Sequence, residues 1–475
     1  MPKLLTKPDW SALIPILPGK GPRANQLYQA IRRLIETGLV PPGAKLPTTR
    51  DLARRLGISR SAAIAAFELL TAEGFTEARV GAGTFVATHV PQRAPSPPAR
   101  PAPPSALAAE PVPPLPGTLG IAMADERTWH IFRKLMSRRL SRPAPEHFAY
   151  GDPRGSSALR EAVAAYLRTA RGVRCDAQSI VITSGTQQGL DLIARVLICP
   201  GDPVLVEDPC YPMARSALVS RGARLIGIPV DREGLNTLDE KQPLPRARAV
   251  YVTPSHQYPL GVTMTMRRRL ALLDWARHND AWIIEDDYDS EFRYLGPPLA
   301  AMQGIDDAAR VIYLGTFSKV LFPGLRLGYA VIPDALLDAV LALRVSSDRQ
   351  PSTLAEAALA DLIAQGHFAA HLRRARRRAQ ASRDVLVATL RDHGPPVLTV
   401  EPPAQGLHLV AKLASPRLDV EIGAAAKAAG IGARPLSPMY VTMPPQQGLV
   451  LGFSGFPDED LRKAARRLCE IVRTD

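Results

Sequence analysis

Cysteine is scarce: Cys175, Cys199, Cys210 and Cys469 are the only four in 475 residues. They are widely spaced and form no C-x-x-C pair beside histidines, which argues against a disulfide framework or a structural zinc site. Long apolar runs are missing too, so no segment reaches the roughly 20 residues that span a bilayer. Met1 to Lys20 is interrupted by Pro2, Pro8, Pro15 and Pro18 and lacks the unbroken apolar core of a signal peptide. Acidic residues are outnumbered, 45 Asp and Glu against 59 Lys and Arg, for a formal net charge of +14. That balance favours an anionic partner without choosing between nucleic acid and an acidic membrane surface. Together these shortages predict a soluble, cytoplasmic protein with no metal centre and no membrane partner.

The apolar content is ample for folding. Hydrophobic residues at 46% against 22% charged exclude disorder across the whole length. The length exceeds one ordinary core and fits a small domain joined to a large one. The joint is legible from Pro91 to Pro116, where eleven of 26 residues are proline. Proline fixes φ and removes a backbone donor, so this stretch favours extended polyproline II and could reach roughly 80 Å. An SH3-type ligand tract is the alternative reading of its composition. The predicted divisions are 20–88, a linker over 89–117, and 118–475.

In the first division, Asn25 to Gly38 reads as a helix, with Leu27, Ile31, Leu34 and Ile35 on one face and a glycine at its end. Thr48 or Thr49 can cap a second helix from Arg50 to Leu56, and Ser59 a third from Arg60 to Glu73. Phe75–Val80 and Thr84–Ala87 flank a Gly81-Ala82-Gly83 turn, which predicts a two-stranded wing. Residues 20–90 carry a net charge of +5, which favours phosphate contact. In the third helix Ile64, Phe67 and Leu70 are expected inward. Arg60 and Ser61 are then left at its positive end facing out, and Ala62, Ala63, Ala65 and Ala66 are small enough for close groove approach. Solvated surface arginines on a small helical domain are the bland alternative.

The run from Leu46-Pro47-Thr48-Thr49-Arg50 through Leu56-Gly57-Ile58-Ser59-Arg60 to Gly81-Ala82-Gly83-Thr84-Phe85-Val86 resembles the GntR winged helix-turn-helix. The resemblance implies double-stranded DNA as a partner. It assigns contact to Thr48, Arg50, Ser59, Arg60, Ser61 and the wing residues Arg79, Gly81, Gly83 and Thr84. Alanines at the start of the third helix depart from the Thr or Asn common there.

Beyond the linker, apolar β-rich runs at 180–183, 204–206, 249–252, 282–284 and 311–314 alternate with helical periodicity, which predicts an α/β domain with a mostly parallel sheet. Ser184-Gly185-Thr186-Gln187 lies between a strand and a helix, where backbone N–H groups and hydroxyls suit a phosphate or merely cap the helix. Asp286 and Tyr288 share a face of the strand beginning at Trp282. They suit a pyridine nitrogen and a ring oxygen, an acidic strand end, or a magnesium cluster. Lys319 follows Gly315-Thr316-Phe317-Ser318, and Arg326 comes seven residues later after Pro323-Gly324. There the lysine can form a Schiff base and the arginine can meet the phosphate reached by Thr316 and Ser318.

The ordered set Gly-Thr-Gln, Asp-x-Tyr and Ser-Lys-x-x-x-Pro-Gly-Leu-Arg resembles the fold-type I aminotransferases over 118–475. The resemblance implies pyridoxal 5′-phosphate (PLP) as cofactor, with Lys319 holding it, Asp286 on its ring nitrogen, Tyr288 on its ring oxygen and Tyr211 stacked on the ring. Gly185, Thr186, Gln187, Thr316, Ser318 and Arg326 would complete the cofactor site, mostly at the phosphate. Two departures stand out. Thr253-Pro254-Ser255-His256-Gln257-Tyr258-Pro259-Leu260-Gly261 replaces the usual Asn before Pro-Thr-Gly, leaving His256 or Gln257 for the ring oxygen. Val450 occupies the place of the arginine that binds a substrate carboxylate, with Arg434 the nearest substitute for an effector and a solvated arginine its alternative reading.

Both halves in this order resemble the MocR group of GntR-like regulators. The implied fold is an N-terminal winged helix-turn-helix plus a fold-type I aminotransferase-like domain, in a head-to-tail homodimer. The expected function is a transcriptional regulator whose promoter binding responds to PLP at Lys319 or to its reaction with a small amino compound. A working aminotransferase with an appended DNA-binding domain and a plain repressor that only dimerises are the rivals, and the sequence leaves turnover undecided.

Overall fold

The computed structural model describes residues 21–90, 114–121, 123–142, 148–238, 243–296 and 299–473, together with Trp10, Leu13 and Leu17. The chain divides into two compact units, Met1–Pro111 and Val112–Asp475. Residues 91–113, the body of the proline-rich linker, lie outside the described residues.

The first unit holds three helices, Arg23–Glu36, Thr49–Leu56 and Arg60–Ala72, followed by a hairpin of Thr76–Arg79 and Gly83–Val86 paired antiparallel. Each boundary has a local cause. Thr48 and Ser59 accept the Asp51 and Ala62 backbone N–H groups and so satisfy donors that the first helical turn leaves free. Gly57, at φ 61°, ends the second helix in the left-handed region. Leu27, Ile31, Leu52, Ala63, Phe67 and Leu70 are buried together between the helices. Here the expected inward stripe of the third helix is corrected: Ile64 is exposed, and Ala63 and Ala66 are fully buried in its place. Two alanines let the helices approach closely, so the stripe runs one residue out of phase with residue size. Ala63 and Ala66 are thereby removed from any groove-facing set.

The second unit is built on an eight-stranded sheet in the spatial order Ile180–Thr183, Gly328–Val331, Val311–Thr316, Trp282–Asp287, Ala249–Val252, Pro203–Asp208, Arg224–Asp231 and Gly234–Leu235. The five expected strands all belong to it. Every pairing from Val311–Thr316 through to Arg224–Asp231 is parallel. Gly328–Val331 runs antiparallel to both neighbours. The central strands are buried throughout, which is why they read as unbroken apolar runs rather than as alternation.

A second, antiparallel sheet of four strands follows in the order Leu398–Val400, His408–Leu413, Gly448–Gly452 and Ala433–Pro435. The 27-residue helix His367–His393 leads into it, and Asp458–Arg473 packs against that helix. Pro116 and Gly117, read from the sequence as the linker's end, instead join this sheet's region. The Gly432 N–H donates to the Pro116 carbonyl at 2.8 Å and the Gly452 N–H to the Gly117 carbonyl at 2.7 Å.

Candidate DNA interface and cofactor cavity

In the first unit Arg50, Arg60 and Ser61 are exposed at the starts of the second and third helices. Arg50 and Arg60 have no carboxylate within ion-pair distance among the described residues, whereas Arg54 and Arg55 are both held by Asp51, at 2.8 and 3.0 Å. The free guanidiniums are the ones available to phosphate or base edges. Thr48 and Ser59 are engaged as caps, and the Ser61 hydroxyl lies 3.0 Å from that of Ser59. At the wing, Gly81 and Gly83 sit at φ 73° and 108°, backbone that a side chain would strain. Arg79 lies over the Phe85 ring at 4.6 Å and Lys45 at 5.8 Å, so one ring aligns two cations at the base of the turn. The Thr84 carbonyl accepts from Leu46, tying the wing to the helical core.

The second unit has a cavity of about 280 Å³ at the carboxyl ends of its parallel strands, where open α/β sheets place their ligands. The expected cofactor residues that line it converge from several elements. Gly185 caps the helix Thr186–Leu197 at φ 99°, aiming free N–H groups at the cavity. Asp286 and Tyr288 come from the end of Trp282–Asp287, and Thr316, Ser318 and Lys319 from the end of Val311–Thr316. Tyr211 and Arg326 also line the wall, as does Gln187, whose amide is anchored to the Met213 carbonyl at 3.1 Å. Arg326 itself adopts φ 51°.

The electrostatics are set by burial. Desolvation pushes the Asp286 carboxyl up to about 7, against the hydrogen bond that Tyr251 donates to Oδ2 at 2.7 Å. Burial also lowers the Lys319 ammonium, opposed by Asp289 and Asp286. His408, on the same wall, is driven down to about 3 by burial and by the neighbouring His256. The donor set fits PLP on three counts. Asp286 Oδ1 is buried with no hydrogen-bond partner among the described residues, as is Thr186 Oγ1, so a ring nitrogen and a phosphate oxygen would each find an unsatisfied atom. Gly120 leaves open the space beside Lys319 Nζ that a Cβ would fill.

The ring-oxygen expectation needs correction. Neither His256 nor Gln257 lines the cavity. The Gln257 amide is consumed by the Pro209 and Tyr258 carbonyls and by the Leu260 N–H, which makes it the internal tie of its own loop. His256 is turned to Asp289 and Tyr288. From that loop Tyr258 lines the cavity together with Thr253, and its ring stands edge-on to Tyr211 at 5.1 Å. Counting back from Pro259-Leu260-Gly261 would have found it, since it directly precedes the proline. Tyr251 was also missed, although a tyrosine on a buried apolar strand has to find a polar partner. Arg434 does line the cavity.

Two family models match the chain: "Bacterial regulatory proteins, gntR family" over residues 23–86, and "Aminotransferase class I and II" over residues 133–468. Among curated proteins it is similar to the probable rhizopine catabolism regulatory protein MocR of Rhizobium meliloti, 39% identical over 94% of this chain and 93% of that one. It is also similar to the pyridoxine biosynthesis regulator PdxR of Corynebacterium glutamicum, 32% identical over 94% and 95%. Among solved structures, the kynurenine aminotransferase of Pyrococcus horikoshii superposes with a TM-score of 0.69 at 29% identity, over 76% of this chain and 90% of that one. Among the described residues no helix is long and apolar enough to cross a membrane. With a gntR-type DNA-binding unit fused to a fold that implies pyridoxal phosphate, the chain belongs to the MocR-type transcriptional regulators.

Proposed function

We propose that pyridoxal phosphate held at Lys319 is this regulator's sensing group, and that its arrival, or its reaction with a small amino compound, changes how the DNA-binding units of a cytoplasmic, head-to-tail homodimer engage an operator. The observation that carries the reading is the pair Asp286 and Lys319 facing one cavity, the first with an unsatisfied buried oxygen and the second with its charge disfavoured.

Bound there, the cofactor supplies an electrophilic carbon for primary amines and an electron-withdrawing ring. The protein's part is to hold and orient it. Gly185, Thr186, Ser318 and Arg326 would grip phosphate through backbone N–H groups, hydroxyls and a guanidinium. Asp286, disfavoured as an anion by burial, would regain its charge beside a protonated ring nitrogen. Tyr288 would meet the ring oxygen, Tyr211 would stack, and Arg434 would meet a carboxylate on the incoming amine. On the DNA, Arg50, Arg60, Ser61 and the wing from Arg79 to Thr84 would make the contacts. Thr48 and Ser59 would present helix ends rather than side chains.

The division of the chain at 20–88, 89–117 and 118–475 gives this coupling a long spacer, with Pro116 and Gly117 anchored on the small sheet. A gel-shift and footprint assay on the promoter beside the chain's own gene tests the reading. It expects binding or footprint to change with pyridoxal phosphate or amine. An unaltered footprint with both, in protein that shows the cofactor's visible absorbance, rejects it.

A further inference from the structure

Tyr288, His256 and Asp289 form a continuous set beside the cavity, and the negative charge of Asp289 orders the hydrogens within it. His256 Nδ1 lies 3.0 Å from each carboxylate oxygen of Asp289 and 3.0 Å from the Tyr288 hydroxyl. The His256 and Asp289 side chains are each only 1% exposed. The Leu407 backbone N–H donates to Asp289 Oδ2 at 3.2 Å and fixes the carboxylate in turn. Gly406 makes room for the imidazole, since a Cβ at that position would collide with the ring.

A carboxylate only accepts, so the hydrogen of the imidazole sits on Nδ1. An Nδ1 that carries hydrogen has no lone pair to receive one from Tyr288. With that one hydrogen given to Asp289, Nδ1 offers the Tyr288 phenol no acceptor, and the phenol's own hydrogen is left to turn toward the cavity that Tyr288 lines.

We propose that His256, oriented by Asp289, is a positioning residue that makes Tyr288 a hydrogen-bond donor into the cavity, directed at the oxygen of the ring bound there. This rests on the reading of the cavity as a pyridoxal phosphate site. It gives His256 a role through Tyr288 in place of the direct contact expected from the sequence. The titratable groups acting on the phenol are Asp289, Tyr258, Asp286 and Glu207, with His256 at 3.0 Å and the His408 ring stacked on it at 6.4 Å. Those facing the imidazole are Asp289, Tyr288 and His408, with Lys319 close enough to act on His408. A donor on the ring oxygen stabilises that oxygen's negative charge once the adjacent nitrogen has lost its proton. Losing the donor therefore moves the titration of the bound chromophore upward.

The test is a pH titration of visible absorbance in the full chain loaded with pyridoxal phosphate. His256→Leu is expected to raise the midpoint by about one unit. His256→Asn places an amide N–H near the Nδ1 position and is expected to restore the wild-type midpoint. His256→Gln places it near Nε2, should shift like leucine, and serves if the leucine variant does not fold. In a Tyr288→Phe background none of these changes should move the midpoint further. Equal midpoints for Asn, Gln and Leu variants, or a shift that persists without the Tyr288 hydroxyl, overturns the proposal. Wild-type protein with no visible band after loading would instead overturn the cofactor reading beneath it.

Discussion

Arg434 stands directly opposite Val450 across the antiparallel pair of Ala433–Pro435 and Gly448–Gly452. Its guanidinium reaches Tyr258 Oη at 3.5 Å. Opposed residues share a face of the sheet, so a charge missing at 450 is supplied one strand over while Val450 stays buried. Arg434→Ala is therefore expected to weaken the response to amines that carry a carboxylate by roughly ten- to a hundred-fold, the range of a charge-assisted bond. Plain amines should be unaffected. Absorbance titration with an amino acid and with its decarboxylated amine reads the difference, and Arg434→Lys should recover only part of it because the paired geometry is lost.

The buried Asp286 makes the cofactor-free protein sensitive to pH in a stated direction. Its carboxyl is raised from the ordinary range to about 7, so between about pH 4 and pH 7 the folded state holds more protons at this group than the unfolded state does. Stability then falls as pH rises through that window and levels above it. In urea titrations, wild type should lose more stability than Asp286→Asn between pH 5 and pH 8. Pyridoxal phosphate should shrink the difference, since a cationic partner at Oδ1 offsets the burial. A decline identical in the two proteins would remove Asp286 as its source.

The sites legible in the sequence are those where a short motif ends a buried strand. Lys319 after Val311–Thr316, Asp286 on Trp282–Asp287 and Tyr288 just past its end are placed by backbone geometry that the apolar run announces. The illegible parts depend on the partner element. Arg224–Asp231 is only partly buried and contains Gly227 and Pro229, so it gives neither an apolar run nor clean alternation. Gly328–Val331 opens on a glycine separated by three residues from the Pro323-Gly324 turn, so it merges with the motif that carries Arg326 and no apolar run stands apart. In Ser255-His256-Gln257-Tyr258 three polar side chains compete, and only the tertiary contacts of His256 and Gln257 leave Tyr258 to the cavity. In the third helix residue size misled, because close packing chose Ala63 over Ile64.

In the DNA-binding unit Thr48 and Ser59 are engaged as helix caps, whereas Arg60 has no carboxylate within ion-pair distance among the described residues. Arg60→Ala should reduce operator affinity and flatten the dependence of log K on log salt by about one unit, if the guanidinium meets a phosphate. Arg54→Ala should change the slope less, because that guanidinium is already committed to Asp51. Thr48→Ala removes the acceptor for the Asp51 N–H. It should cost about 1 kcal/mol of stability while leaving the salt slope intact. Fluorescence anisotropy across a salt series, beside chemical denaturation of each variant, checks all three.

Gly120 offers the sharpest separation of backbone strain from site geometry. It adopts φ +72° and its missing Cβ would overlap the Lys319 amine. Gly201 adopts φ +94° with nothing within 4 Å of its missing Cβ. Alanine at either position carries a similar conformational penalty, of order 1 kcal/mol. Only Gly120→Ala also pushes against Lys319. Both variants should therefore lose comparable stability, but only Gly120→Ala should lose visible absorbance after incubation with pyridoxal phosphate. Because the amine is the flexible end of its side chain, it can turn aside without disturbing the sheet, so the defect should appear as failed loading rather than as unfolding. Equal loading of the two variants would mean that Lys319 has freedom at Nζ that the packing around Gly120 denies it.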